Sequence, residues 1–212
     1  MKQLILITII LLMPFNALCQ EPQDAAAPSS DKTQAFARIR KAASSVRTLA
    51  GEFTQEKHLD ILKNAPVSKG RFFYKTPDCL RWEVLEPASM GFIVKGDKGK
   101  RWKGRSDNMQ AFDLKKEPVI RIISNQVFAW ARADFEQLES GYDITVLGYS
   151  PVILKLVPLS VTEKKYLAFI MLIFSATEDY VNAIEIREAG GDYTKINFID
   201  MVINGPLQED IF

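Results

Sequence analysis

Groups able to do chemistry are few in this 212-residue chain, and they do not converge. His58 is the only histidine, so a serine or cysteine triad, or a histidine-rich metal site, would have to be built around it alone. It sits among Lys57 and Asp60 at the end of a strand-like run, where a solvated polar residue is the simpler reading. The carboxylates Asp134, Glu136, Glu185 and Glu188 are scattered, with no motif marking a paired acid and base. They read as solvated helix and strand surface. The run "GDKGKRWKG" has glycines and lysines without the order G-x-x-x-x-G-K-[ST] that a phosphate-cradling loop needs, nor its strand-to-helix setting. It reads as a hairpin turn with exposed charge. Trp102 and Trp130 have Lys or Arg nearby and could stack on bases, yet 27 Lys and Arg face 26 Asp and Glu. That balance gives no electrostatic reason to expect nucleic acid or an anionic membrane surface as partner. The expectation is therefore no enzyme, no cofactor and no metal, and a functional surface that is apolar and binds.

The N-terminal "MKQLILITIILLMPFNALC" has a lysine, an apolar run and a small-residue pattern at Ala17 and Cys19, the layout of a secretory signal peptide over residues 1–19. Its apolar run from Leu4 to Met13 is shorter than the about 18 residues a membrane span needs. Cys19 could be read as a lipidated cysteine, but Leu18 stands where a small residue is wanted. Residues 20–31, "QEPQDAAAPSSD", are rich in Pro, Ala and Ser and read as a flexible leader. One domain, 32–212, follows. With residues 1–19 removed, Cys79 is the sole cysteine, so no intramolecular disulfide can form. Stability must come from burial.

The elements that would position a binding surface can be read from periodicity. From Asp31, "DKTQAFARIRKAASSVRTLAG" places Phe36, Ile39, Ala43, Val46 and Ala50 near helical spacing, with Asp31 or Thr33 to cap the start and Gly51 to end it. Thereafter "EFTQEKH", "GRFFYK", "CLRWEV", "GFIVKG" and "KRWKG" alternate with tight-turn sequences, an antiparallel meander. The texture returns after Tyr142 in "YDITVLG", "VILKLVP", "LAFIMLIFS", "VNAIEIREA" and "YTKINFIDMVI". About ten strands are too many for one flat sheet, so a barrel or strongly curved sheet is expected. Between the two blocks, Val119, Ile122, Ile123, Val127 and Trp130 form a helical stripe after Pro118. The concave face of the sheet is the nearest place to bury it. The run "YLAFIMLIF" is apolar throughout, as a central strand covered on both sides or as an exposed partner patch; the central strand is preferred.

In "RFFYKTPDCLRWEVLEP" alternation puts Phe72, Tyr74, Leu80, Trp82 and Val84 on one side, and Arg71, Lys75, Arg81 and Glu83 on the other. That stretch, with "FTQEKH" before it and "FIVKGDKGKRW", "LKLVPLS" and "GGDYTKINFIDMVING" after it, resembles the periplasmic outer-membrane lipoprotein carrier family, the LolA-like proteins, in order and spacing over most of the chain. The resemblance implies a mainly β (α+β) fold, an unclosed β-barrel with helices as a lid over an apolar cavity. It also implies a periplasmic location and a carrier that shields lipoprotein acyl chains, or a related lipid, on the way to the outer membrane. The partners it implies are an ATP-driven release complex in the inner membrane and an outer-membrane receptor. A sensor or adaptor of the same fold, binding a protein partner, is the alternative. A monomer is expected.

One departure stands out. Thr76 occupies the position before the turn proline where the best-studied carriers have an arginine that latches the lid, and Arg81 faces away from Leu80 and Trp82. The expected cavity wall is the alternating inward set: Phe72, Tyr74, Leu80, Trp82, Val84, Phe92 and Val94, then Ile184, Ile186, Ile196 and Phe198. The expected lid is Val119, Ile122, Ile123, Val127 and Trp130. Lys95 and Arg101 are placed near the mouth, as solvated charge.

Overall fold

The computed structural model describes residues 29–104 and 108–212. The expected signal peptide and residues 20–28 of the expected leader lie outside the described residues. Helix α1 (Ser29–Ala43) begins inside the segment read as leader. It ends well before Gly51, because the hydroxyls of Ser44 and Ser45 donate back to the carbonyls of Lys41 (2.7 Å) and Ala42 (3.3 Å). Side chains that bond to nearby backbone in this way compete with helix continuation. Gly51 is not a helix stop but part of strand β1 (Thr48–His58). A Cβ there would come within 2.6 Å of the Met201 sulfur.

The first meander continues through β2 (Val67–Lys75), β3 (Cys79–Glu86), β4 (Met90–Lys95), β5 (Lys98–Lys103) and β6 (Gln110–Asp113). Two helices follow, α2 (Pro118–Arg132) and α3 (Phe135–Gly141). Pro118 opens α2 as read from the sequence, and Ala133 closes it in the left-handed region at φ 51°. The second meander is β7 (Tyr142–Tyr149), β8 (Val152–Pro158), β9 (Leu167–Phe174), β10 (Val181–Glu188) and β11 (Tyr193–Ile203).

All eleven strands form one antiparallel sheet in the order β6-β5-β4-β3-β2-β1-β11-β10-β9-β8-β7. The two meanders are zipped together by β1 against β11. The edge strands β6 and β7 do not pair with each other, so the barrel stays unclosed. A bulge between Ala50 and Glu52 coincides with Asp200 at φ 51° on β11. It lets both Phe198 and Met201 pack against the core.

The inner face of the sheet and the buried faces of the helices share one hydrophobic core. From α1 it takes Ala35, Phe36, Ile39 and Ala43, and Phe36 stacks on Phe135 of α3 with ring centroids 3.8 Å apart. From β8 it takes Val152, Leu154 and Leu156. Strand β9 is central, between β8 and β10, and buries Ile170, Leu172 and Phe174. Its other face, with Phe169, Met171 and Ile173, is only half-buried, and Lys155 lies over the Phe169 ring at 4.7 Å. The "YLAFIMLIF" strand is therefore central without being fully covered on both sides. Cys79 is a free, buried thiol.

Gly70 marks a close approach. A Cβ there would lie 2.1 Å from the Glu83 carbonyl oxygen and 2.3 Å from the Phe53 ring. Gly70→Ala should cost about 1–3 kcal/mol, read as a lower denaturant midpoint. An unchanged midpoint would show that this aromatic-over-glycine packing contributes nothing.

Candidate lipid-binding site

Strand alternation brings the expected wall together. Phe72, Tyr74, Leu80, Val94, Ile184 and Ile196 are buried in the core, and Trp82, Val84, Phe92, Ile186 and Phe198 pack against it. Pairing explains the grouping: Phe72 lies opposite Trp82, Tyr74 opposite Leu80, and Trp82 opposite Phe92. Phe53 completes an aromatic group that the sequence reading missed. Its ring stacks on Trp82 at 4.4 Å, and Phe72 meets Phe198 edge-on at 5.1 Å. The signal for Phe53 is the alternation of Leu49, Gly51 and Phe53 along β1, which a helix ending at Gly51 conceals.

Helix α2 lies over this group, rotated from the expected stripe. Ile122 and Ile123 are 59% and 41% exposed. The buried face is Ser124, Phe128, Ala129 and Ala131, with Ile120, Val127 and Trp130 partly buried. The Val119 side chain lies outside the described residues. Apolarity alone misplaced the stripe because small residues, Ser124 and two alanines, make the close contact. Volume, not hydrophobicity, selects them where a helix packs closely.

Beneath the C-terminal half of α2 a cavity of about 40 Å³ remains, lined by Phe72, Trp82, Val127, Trp130, Phe198 and Met201 among others. One water needs about 10–15 Å³ on this measure, so the space takes a few water-sized groups and not a whole acyl chain. On the other side of Trp82 an open groove of about 220 Å³ is lined by Val84, Met90, Phe92 and Ile120. Together they track α2 from Ile120 to Ala131, about 16 Å of helix. Among the described residues the space under α2 is thus a narrow apolar seam that widens into an open groove at one end.

Polar groups hold this seam imperfectly. Arg101 pairs with Glu117 at the start of α2 (2.8 Å), and Gln126 donates to the Tyr142 hydroxyl (3.1 Å). Arg132 donates to the Pro77 carbonyl (3.2 Å). The helix therefore brings its own arginine to the turn where Thr76 stands. The hydroxyls of Tyr74, Ser124 and Tyr149, the Gln126 Oε1 and the Trp130 indole N–H are buried with no hydrogen-bond partner among the described residues. Burial raises the Tyr74 pKa, with Arg132 and Arg47 opposing it, and burial likewise raises that of Tyr142.

On the outer face, buried Glu83 is held between Arg71 and Arg81, and Arg81 also donates to the Ile211 carbonyl (3.1 Å). Lys95 is exposed there beside Ile93, Lys98 and Phe212. His58 pairs with Glu56 (3.0 Å) and stacks on Tyr193. Among the described residues no cluster of His, Cys, Asp and Glu could hold a metal ion, and no helix is long and apolar enough to cross a membrane.

An unclosed antiparallel sheet with helices laid into its concave face is the architecture expected above, and a family model settles the kinship. The model for the outer membrane lipoprotein carrier protein LolA matches residues 44–212. The chain belongs to the LolA family. A search of curated proteins gives no match. Among solved structures, MucB is 16% identical with a TM-score of 0.51, over 86% of this chain and 62% of MucB. The MucA/MucB complex from Pseudomonas aeruginosa matches at 16% identity and a TM-score of 0.48, over 85% of this chain and 59% of that one. The Mycobacterium tuberculosis lipoprotein LppX matches at 12% identity and a TM-score of 0.48, over 84% and 99%. The chain thus spans about three-fifths of the MucB chains it matches. At 16% identity the MucB likeness shows the fold.

If Arg132 tethers the C-terminal end of α2, Arg132→Ala should loosen the seam at a cost of about 1 kcal/mol. Acrylamide should then quench tryptophan fluorescence more strongly, because Trp82 and Trp130 both face the seam. Unaltered quenching in the variant would remove Arg132 as a tether.

Proposed function

We propose that the protein binds the acyl chains of lipoproteins, or of a related lipid, between α2 and the inner face of the sheet. On this reading it carries them across the periplasm toward the outer membrane. The observation that carries the reading is the seam itself. An aromatic wall lies under a helix whose buried face leaves polar atoms unpaired, beside an open apolar groove. Membership of the LolA family supports it.

The energetics favour a cover that competes with cargo. Each buried methylene is worth about 0.8 kcal/mol, so one long chain could gain on the order of 10 kcal/mol if fully enclosed. A carrier that kept all of this would not release. Each buried polar atom without a partner costs about 1–3 kcal/mol, so α2 covers the wall with less than the full gain of its apolar contacts. Displacing it returns those atoms to water or to polar partners, while the acyl chain takes over the wall. Net affinity is the difference between two burials. An inner-membrane ATP-driven complex as donor and an outer-membrane receptor as acceptor fit this scheme, since the sequence carries no G-x-x-x-x-G-K-[ST] motif.

Weakening the cover should strengthen binding. Phe128 is buried against the sheet with its ring 6.1 Å from that of Tyr74. Phe128→Ala should destabilise the closed arrangement by about 3 kcal/mol or more. The apparent affinity for a long-chain fluorescent acyl probe should then rise, by up to about a hundredfold. A folded variant that binds the probe no better than the parent, or a parent that binds a protein partner and no lipid, would overturn the reading.

A further inference from the structure

Connections that alternate along an antiparallel meander return to the same end of the sheet. Residues 59–66 after β1, 87–89 after β3, 159–166 after β8 and 189–192 after β10 therefore share one rim. Met90, the first residue of β4, places the open groove toward that rim as well. Three of these loops are joined: the Asp60 N–H donates to Asp192 Oδ1 (3.0 Å), and the Ala189 N–H to the Tyr166 carbonyl (3.0 Å).

The three most exposed large apolar side chains among the described residues all stand here: Ile61 at 89%, Val161 at 76% and Tyr166 at 73%. Scattered apolar side chains on a surface are ordinary. Their convergence on one rim, the rim toward which Met90 of the groove also lies, is not. Lys63, Lys164 and Lys165 are exposed between them and have no ion pair among the described residues. Asp60, Glu163 and Asp192 keep the rim free of a large net charge.

We propose that this rim is a membrane-docking edge, with Ile61, Val161 and Tyr166 entering the interfacial layer of a phospholipid bilayer. The tips stand on two loops, Ile61 on one and Val161 and Tyr166 on the other, rather than on one flat patch, which suits a fluid surface better than a shaped protein partner. Tyrosine belongs to the residues that favour the membrane–water boundary, and the neighbouring lysines can reach headgroup phosphates. The near-neutral chain does not oppose this, because insertion is driven by apolar tips and the lysines act locally. Docking sets the groove against the bilayer, so an acyl chain passes between membrane and seam with little exposure to water. The purpose of the edge rests on the acyl-site reading; its existence does not.

The test is flotation of the purified protein with vesicles of phosphatidylethanolamine and phosphatidylglycerol, in parallel with acyl-probe binding. The combined variant Ile61→Ser, Val161→Ser, Tyr166→Ser should lose roughly tenfold or more in vesicle partition, with unchanged probe affinity. The control Leu147→Ser, Val202→Ser, which removes exposed apolar groups elsewhere, should float as the parent does. Equal flotation of parent and rim variant overturns the edge, as does a parent that does not float and whose rim substitutions abolish a protein complex. Flotation lost only in the rim variant, with no probe bound by any form, upholds the edge and sinks the acyl site.

Discussion

A curved antiparallel sheet that does not close on itself must bury its concave face against something else. Here the edge strands β6 and β7 stay apart, and the face they leave open carries Phe53, Phe72, Trp82 and Phe198. Left to water, those rings would expose a large part of the core. The three helices exist to cover it, and they do so unequally. Helix α1 buries Phe36 and Ile39 and joins α3 through a stacked aromatic pair. Helix α2 buries a serine, two alanines and one phenylalanine, with several polar atoms unpaired around it. The cover is better satisfied at α1 than at α2, and the proposed acyl site rests on that inequality.

The same constraint organises the rest. The bulge in β1 and β11 turns additional apolar side chains inward at the place α2 crosses. Gly70 is bare because Phe53 lies on it. The polar ties of α2 sit along its length, to Arg101 just before its start, to Tyr142 midway and to the Pro77 carbonyl at its end. None of these is a deeply buried ion pair that would be costly to break. The outer face, by contrast, holds buried Glu83 between two arginines. The most buried charge pairing thus lies on the sheet, and α2 is held by more exposed polar ties.

Much of this was legible in the sequence, for physical reasons. A period of two puts every second side chain on one face, so the wall from Phe72 to Phe198 could be named residue by residue. Pro118 marked the start of α2 because a proline fits a first helical turn. The failures are equally instructive. The first helix was read through to Gly51 because Val46 and Ala50 kept helical spacing, but backbone bonding by Ser44 and Ser45 ended it sooner. Of the expected α2 stripe Val127 and Trp130 pack against the core while Ile122 and Ile123 are exposed, because Ser124, Phe128 and two alanines form the buried face. No local pattern announces that Arg132 meets Pro77, since the two are brought together only by the fold. Nor does periodicity give the width of the space between α2 and the sheet.

The central claim is that α2 and an acyl chain compete for the same wall. Hydrogen–deuterium exchange with and without a long-chain acylated peptide addresses it directly. Binding should speed exchange in the amides of residues 118–132 while leaving strands β1, β2 and β11 as protected as before. An acylated peptide that binds while α2 keeps its full protection would contradict the account.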